Sequence, residues 1–167
     1  MVRMMATVSQ IMEKMIAFSE GNIHDIDHLI RVWTYAKTIG ELEQLEKNTQ
    51  FVLEVAAITH DIACPLCRVK YGNTNGKHQE AEGVLMVKEF LAETEMTEEE
   101  ISRVAFLVGH HHTFQGVDGI DYQILLEADY IANSTENGYS LKNAENTLQK
   151  IFKTKSGTQL LKAIYCI

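Results

Sequence analysis

The segment FVLEVAAITHDIA, residues 51–63, is apolar on nearly every side and contains an adjacent histidine and aspartate near its end. A helix without a polar face is buried by its neighbours, so this segment predicts the central helix of a helical protein. Pro65 disfavours helical backbone at the residue before it, which places His60 and Asp61 in the last turn. A carboxylate buried there must be met by a cation or by hydrogen-bond donors. The doublet therefore predicts a polar site inside the core.

The remaining sequence repeats the helical pattern. Only one proline interrupts 167 residues, apolar residues recur at intervals of three and four, and no stretch is typical of a strand. The length suits a single compact domain, residues 1–167. We expect an all-α bundle of about six to eight helices, with one opening at Asp27 or His28 and another capped by Thr97 and Glu100. Residues 66–78 are expected to form a loop, and further helices are expected at about 79–92, 120–133, 140–153 and 158–164.

Composition limits the partners of the chain. A net charge of −8 with 15 basic residues argues against stable nucleic-acid binding, and a bound cation would be needed to attract an anionic substrate. No stretch approaches the roughly 20 apolar residues that span a bilayer, so we expect a cytoplasmic protein without membrane contact. Three cysteines give no disulfide framework, and the spacing of Cys64 and Cys67 alone is weak evidence for a redox pair or zinc knuckle.

Histidines are concentrated in one part of the chain. All seven lie between positions 24 and 112, mostly at helix ends or on apolar stripes. Asp129 adds a second inward carboxylate, because Leu125, Ala128 and Ala132 share its helix face. A mixed set of histidine and aspartate suits Fe, Mn, Co, Ni or Zn, with Mg as a further candidate, and points away from a closed structural zinc site. The alternative is that some of these histidines bond backbone carbonyls, or that Asp129 pairs with Arg31.

The order His28, His60-Asp61 and Asp129 resembles the HD-domain superfamily of metal-dependent phosphohydrolases. The local strings DIDHLIRV, AAITHDIA and ILLEADYIAN are similar to the family's opening helix, signature doublet and closing aspartate helix, over about residues 23–135. The resemblance implies that these four residues bind one divalent metal. It also implies a reaction in which metal-activated water attacks the phosphorus of a small phosphate ester, with a nucleotide as first choice. The segments KYGNTNGKHQEAEG and LVGHHHT resemble small stand-alone bacterial members.

Family members with two metals suggest further ligands. Here His110 and His111 resemble the family's histidine pair, with His112 competing for the register. The remaining ligand would stand about four residues before a small residue. Counting back from Gly83 gives Gln79, which leaves His78, Glu80 and Glu82 as candidates, and we take Glu80 as the second-metal ligand.

Three residues are assigned catalytic roles on the same resemblance. Asp61 would hold the metal, and Arg31, three residues after His28, could hold Asp61 or a phosphate. Lys70, with Arg68 and Lys77, could bind substrate phosphates from the 66–78 segment. The alternative for each of these four basic residues is a solvated surface position.

Two other function classes fit the same residues. One is an HD-type di-iron oxygenase, since six histidine and carboxylate ligands could activate oxygen instead of water. The other is a non-catalytic sensor that binds a metal or nucleotide without turnover. The sequence leaves the substrate, the metal and the formation of a homo-oligomer open.

Overall fold

The computed structural model describes residues 6–167 and confirms the all-α prediction, because these residues form nine helices and no strand. The first helix of this part begins at Val8, and residues 1–5 lie outside the described part. No helix in that part is long and apolar enough to cross a membrane. The helices are α1 (Val8–Phe18), α2 (Ile23–Leu42), α3 (Lys47–Thr59), α4 (Cys64–Tyr71), α5 (Gly76–Leu91), α6 (Glu98–Val108), α7 (Ile120–Asn137), α8 (Leu141–Lys150) and α9 (Lys155–Tyr165).

Side-chain caps define where several helices begin. The predicted capping box at α6 is present: Glu100 N donates to Thr97 Oγ1 at 3.2 Å, and Thr97 N donates to Glu100 Oε2 at 2.8 Å. Asn22 accepts from the backbone of Asp25 at 3.2 Å, so α2 begins at Ile23 instead of the expected Asp27 or His28. His24 consequently lies inside the helix.

The segment expected to be a loop contains a helix. Pro65 is the second residue of α4, where a missing N–H is tolerated, so the proline helps to start a helix as well as to end the preceding one. Gly72 ends α4 with φ of 68°, a left-handed conformation that glycine adopts without strain. The irregular stretch is therefore only residues 72–75, and α4 accounts for one helix more than predicted.

The core is built around α3, as its sequence predicts. Every residue from Val52 to Thr59 is buried. Helix α3 packs against α2, α6 and α7, while α2 also packs against α7. The C-terminal end of α3 is thus surrounded by α2, by α7 and by the turn after α6. The site described next occupies this position.

Candidate metal centre

Four side chains converge at the end of α3: His28 from α2, His60 and Asp61 from the turn that follows α3, and Asp129 from α7. The Nε2 atoms of His28 and His60 lie 3.1 Å apart. Asp61 Oδ2 lies 3.3 Å from His28 Nε2 and 3.5 Å from His60 Nε2. Asp129 Oδ1 lies 3.2 Å and 3.4 Å from the same two nitrogens. The structure therefore brings together all four residues of the predicted common metal set, which we call the central cluster.

Neighbouring groups fix the orientation of both imidazoles. His60 Nδ1 lies 2.7 Å from the carbonyl oxygen of Ala57, and His28 Nδ1 lies 2.9 Å from Glu136 Oε2. Since both partners are acceptors, each Nδ1 carries a proton and each Nε2 offers its lone pair to the cluster. Two lone pairs 3.1 Å apart require a proton or a cation between them.

The spacing of the cluster suits a transition-metal cation. Metal-to-ligand distances of about 2.1 Å place neighbouring ligand atoms about 3.0 to 3.4 Å apart in octahedral or tetrahedral geometry. The inter-ligand distances quoted above span 3.1 to 3.5 Å. Two imidazole nitrogens and two carboxylate oxygens therefore fit a single divalent ion.

Electrostatics in the central cluster favour positive charge. Burial lowers the pKa of His28, but its hydrogen bond to Asp129 and the charges of Asp61, Asp129 and Glu136 outweigh burial and raise the pKa to about 9. Burial raises the pKa of Asp129, yet the hydrogen bond from His28 and the contact with His60 hold that pKa well below its usual range. At neutral pH a proton on His28 therefore balances ionised carboxylates, and a divalent cation would displace that proton.

A second group of ligand atoms shares Asp61. His111 Nε2 lies 3.3 Å from Asp61 Oδ1, and the ligand atoms of Asp61, His111 and His112 all lie within 4.8 Å of one another. His111 Nδ1 donates to the carbonyl of Val108 at 2.7 Å, so its Nε2 is an acceptor. The Nε2 atoms of both histidines are buried without a hydrogen-bond partner. Because buried polar atoms are normally paired, this group also fits a cation, bridged to the first by Asp61.

The register of the histidine triplet differs from the expectation. His110 was expected to pair with His111. Instead, its Nδ1 donates to the carbonyl oxygen of Phe106, and its imidazole stacks on the Phe106 ring with centroids 4.2 Å apart. Helix α6 ends at Val108, and the turn that follows directs His111 and His112 towards Asp61. Gly76 permits this arrangement, because a Cβ there would lie 2.8 Å from the His112 ring.

Glu80 also lies outside the two ligand groups. Its Oε1 accepts hydrogen bonds from the backbone of His112 and from the Thr113 hydroxyl, both at 2.9 Å. Glu80 thus supports the turn that carries the histidines. The other two candidate ligands make contacts elsewhere: His78 stacks on Tyr71, and Glu82 forms an ion pair with Lys70.

Gln79 occupies the position that these candidates were expected to fill. It is 5% exposed and lines the cleft beside the cluster, and its Nε2 donates to Thr74 O at 2.7 Å. Its Oε1 is buried without a partner. A neutral amide oxygen therefore stands at the position reached by counting four residues back from Gly83.

Two predicted catalytic residues are held elsewhere. The Arg31 side chain is 48% exposed and its nearest carboxylate is Glu136, at 3.9 Å, so it contacts neither Asp61 nor Asp129. Lys70 forms an ion pair with Glu82 and lies over the Tyr71 ring. Neither Arg31 nor Lys70 lines the cleft beside the cluster. Their positions therefore do not support the expected contact with a substrate phosphate. Arg68 does line the cleft, whereas Lys77 does not.

The cluster opens into a cleft of about 390 Å³. That volume suits a small ligand. Asp61 is 27% exposed at its side chain and gives the cluster its access. Burial raises the pKa of the Cys64 thiol that also lines the cleft, so this cysteine remains protonated and unreactive. The lining residues are His24, Asp25, His28, Asp61, Cys64, Arg68, Thr74, Gln79, His112, Asp129, Asn133, Glu136 and Asn137.

Two supporting residues were missed by the sequence analysis. Asn133 donates to Asp129 Oδ1 at 2.9 Å, and Glu136 accepts from His28 Nδ1. They lie four and seven residues after Asp129, which is the spacing of one helix face. The predicted end of this helix at position 133 obscured that signal, since α7 continues to Asn137.

The fold and the cluster define a class of protein: an all-α domain with a buried histidine and aspartate centre built for divalent metal. Comparison with known families agrees, because the model of the HD domain family matches residues 25–134. The chain belongs to the HD domain family. The matched range nearly coincides with the core region expected at about 23–135.

Solved structures show the same fold. The structure is similar to the 1.45 Å crystal structure of a predicted HD superfamily hydrolase from an uncultured Thermotogales bacterium. The TM-score is 0.71 at 19% sequence identity, covering 95% of this chain and 84% of that chain. No curated protein matches the sequence.

Proposed function

We propose that this protein is a metal-dependent phosphohydrolase that acts on a small phosphate ester in the cleft beside the central cluster, with a nucleotide as the first substrate class to test. The single observation that carries the proposal is that carboxylate oxygens of Asp61 and Asp129 lie within about 3.5 Å of the Nε2 atoms of His28 and His60, beside an open cleft. Family membership supports the reaction class.

The residues around the proposed cation site have different roles. A bound divalent cation supplies a Lewis acid that activates water and neutralises charge on phosphoryl oxygens. His28, His60 and Asp129 would hold the cation together with Asp61, which has one oxygen facing each ligand group. Glu136 orients His28, and Asn133 orients Asp129. This arrangement leaves the part of the central cluster that faces the cleft open to water and substrate.

Arg68 is the best-placed side chain to bind an anionic group of the substrate. Among the residues that line the cleft it is the one lysine or arginine, and Asp25 holds its guanidinium through hydrogen bonds to both carboxylate oxygens. The arginine is 40% exposed, so a phosphate can approach its free face. Of the four basic residues that the sequence offered as phosphate contacts, Arg31, Arg68, Lys70 and Lys77, Arg68 is therefore the one that we assign to substrate binding.

Replacing Arg68 with alanine should raise KM for a phosphate ester about 10- to 100-fold, the range expected for losing a charged hydrogen bond of roughly 1.5–3 kcal/mol. The cation stoichiometry should not change, because Arg68 contacts none of the cluster. Steady-state kinetics and metal analysis measure these effects. Lys70→Ala is the matched control and should behave as wild type; an unchanged KM in Arg68→Ala would remove Arg68 from substrate binding.

Replacing Glu136 with glutamine should weaken cation binding by about 10- to 100-fold, as is typical for a partner that orients a metal-binding histidine. The amide keeps an acceptor for His28 Nδ1 but loses the negative charge that makes His28 a better ligand. Competition against a chromogenic chelator measures the affinity. Glu145→Gln, an exposed position on α8, is the control, and equal affinities in both variants would contradict the role of Glu136.

A substrate panel tests the proposed reaction. Metal-stripped protein is assayed against nucleotides, sugar phosphates and p-nitrophenyl phosphate with Mn, Co, Mg, Fe, Ni or Zn, and phosphate release is measured. We expect release that requires both a cation and the intact cluster. Oxygen consumption with Fe and a non-phosphorylated substrate would instead favour the oxygenase, and tight nucleotide binding without product under every metal would favour the sensor.

A further inference from the structure

A cleft of about 630 Å³ contains none of the residues of the metal centre. It lies where the turn before α7 meets the connection between α8 and α9, with Glu43 from the end of α2 at its edge. Its volume falls within the range of small-molecule sites. The lining residues are Glu43, Phe114, Val117, Gly119, Ile120, Gln123, Leu126, Lys150, Ile151, Lys153, Thr154 and Lys155.

Positive charge is concentrated on one wall of this cleft. Lys150, Lys153 and Lys155 fall within six residues of a chain whose net charge is −8. Within residues 6–167, neither Lys150 nor Lys153 forms an ion pair with a carboxylate. The one carboxylate lining the cleft, Glu43, already accepts a hydrogen bond from Ser156 N at 2.7 Å. The hydrogen bonds from Ser156, followed by the charge of Lys155, lower the pKa of Glu43.

Apolar side chains form much of the remaining lining of the cleft. Phe114 is 51% exposed and Ile120 is 44% exposed, although both are large hydrophobic residues. Val117, Leu126 and Ile151 extend this surface into the cleft. A cleft lined by both apolar and lysine side chains is complementary to a ligand that has an apolar body and an anionic head.

The lysine-bearing segment is held in place by a buried acid. Glu127 is 0% exposed, and its Oε1 accepts from the backbone of Lys153 at 2.7 Å and of Thr154 at 2.9 Å. Gln123 donates to Glu127 Oε1 at 2.7 Å and to the carbonyl of Ile151 at 2.8 Å. The cleft is therefore built before a ligand arrives, which reduces the entropy lost on binding.

We propose that this cleft is a second ligand site that binds a small organic anion, with its acidic head among Lys150, Lys153 and Lys155 and its apolar body against Phe114 and Ile120. The site is separate from the proposed hydrolase reaction and does not depend on it.

Ligands that differ only in the head group test the charge requirement. Octanoate is compared with octanol and octylamine, and 2-naphthoate with 2-naphthol, by titration of the full-length protein followed by methyl NMR. We expect saturable binding of at least one acid, with shifts of the Ile120 and Ile151 methyl signals and none of Ile62 in the core beside Asp61. The uncharged and cationic analogues should bind at least about tenfold more weakly.

Matched lysine variants test the location. The triple variant K150Q/K153Q/K155Q should lose at least about tenfold in affinity for the acid, whereas K47Q/K88Q/K142Q removes the same charge elsewhere and should bind as wild type. Both sets are exposed, so folding should be retained, and circular dichroism checks it. No saturable binding of either acid, equal binding of acid and alcohol, or equal loss in both triple variants would each overturn the proposal.

Discussion

Replacing Asp61 with alanine is expected to abolish cation binding at both ligand groups and to reduce any phosphohydrolase activity by more than about 100-fold, the upper end of the effect of losing an outer partner. The two oxygens of this carboxylate face different histidines: Oδ2 lies 3.3 Å from His28 Nε2, and Oδ1 lies 3.3 Å from His111 Nε2. No other described side chain contributes to both groups. A single substitution therefore disables both.

The fold should survive the change. Without a cation, Asp61, Asp129 and Glu136 place three carboxylates around His28, so removing one lessens the repulsion among them. We expect the melting temperature of the metal-free variant to remain near that of the wild type. What should disappear is the stabilisation by added metal, about 2.7 kcal/mol for the wild type at a cation concentration 100 times Kd.

Thermal denaturation with and without Mn or Co, together with metal analysis, measures both effects. Asp27→Ala is the matched control, since Asp27 is an exposed aspartate on the same helix as His28. An Asp61→Ala variant that keeps full activity, or that still gains stability from the metal, would contradict the assignment of the site.

Replacing His111 or His112 with alanine is expected to reduce the bound cations from two to one, whereas His110→Ala should retain both. Only His111 and His112 join Asp61 in the second ligand group, and their Nε2 atoms have no other partner. His110 is engaged with Phe106 and faces Tyr122. The neutral amide of Gln79 adds no charge to this group, so we expect the second cation to bind more weakly than the first.

Metal titrations of the three variants by calorimetry distinguish the two positions. The matched pair is His112→Ala and His110→Ala, because both residues are partly exposed and adjacent to His111. Thermal denaturation establishes that each variant is folded. If His110→Ala lost the second cation, or His112→Ala kept it, the histidine register seen here would be wrong for the metal-bound protein.

Much of the fold was predictable because it depends on local patterns. The uniformly apolar α3 was expected to be central, and it is. The Thr97 to Glu100 spacing located the start of α6 correctly. The helix at α4 was missed because Pro65 and the turn formers of residues 72–76 flank its short sequence, although a proline in the first turn is compatible with a helix. Helix starts were less predictable where an asparagine or glutamate cap lay several residues upstream, as at Asn22 and Glu46.

The residues of the central cluster were predictable from the sequence, whereas the positions of the residues around the cluster were less so. The four residues of the central cluster lie in or next to strongly apolar helices, where burying an unpaired polar side chain costs free energy. Each was therefore recognisable as a candidate ligand. The family resemblance pointed to His110 and His111 and left His112 as the competing register, and the structure places His111 and His112 beside Asp61. Glu80, Arg31 and Lys70 were placed by distance along the chain alone. Sequence distance does not reveal that Glu80 binds a backbone amide or that Lys70 pairs with Glu82.

The most direct test of the metal centre is a crystal of the protein soaked with Mn, with anomalous diffraction collected at a wavelength where manganese scatters strongly. We expect an anomalous peak about 2.0 to 2.3 Å from His28 Nε2, His60 Nε2, Asp61 Oδ2 and Asp129 Oδ1. A weaker second peak should lie beside Asp61 Oδ1, His111 and His112. The account would be contradicted if, at saturating manganese, no anomalous peak lay among the four central ligands and His28 were still hydrogen-bonded to Asp129.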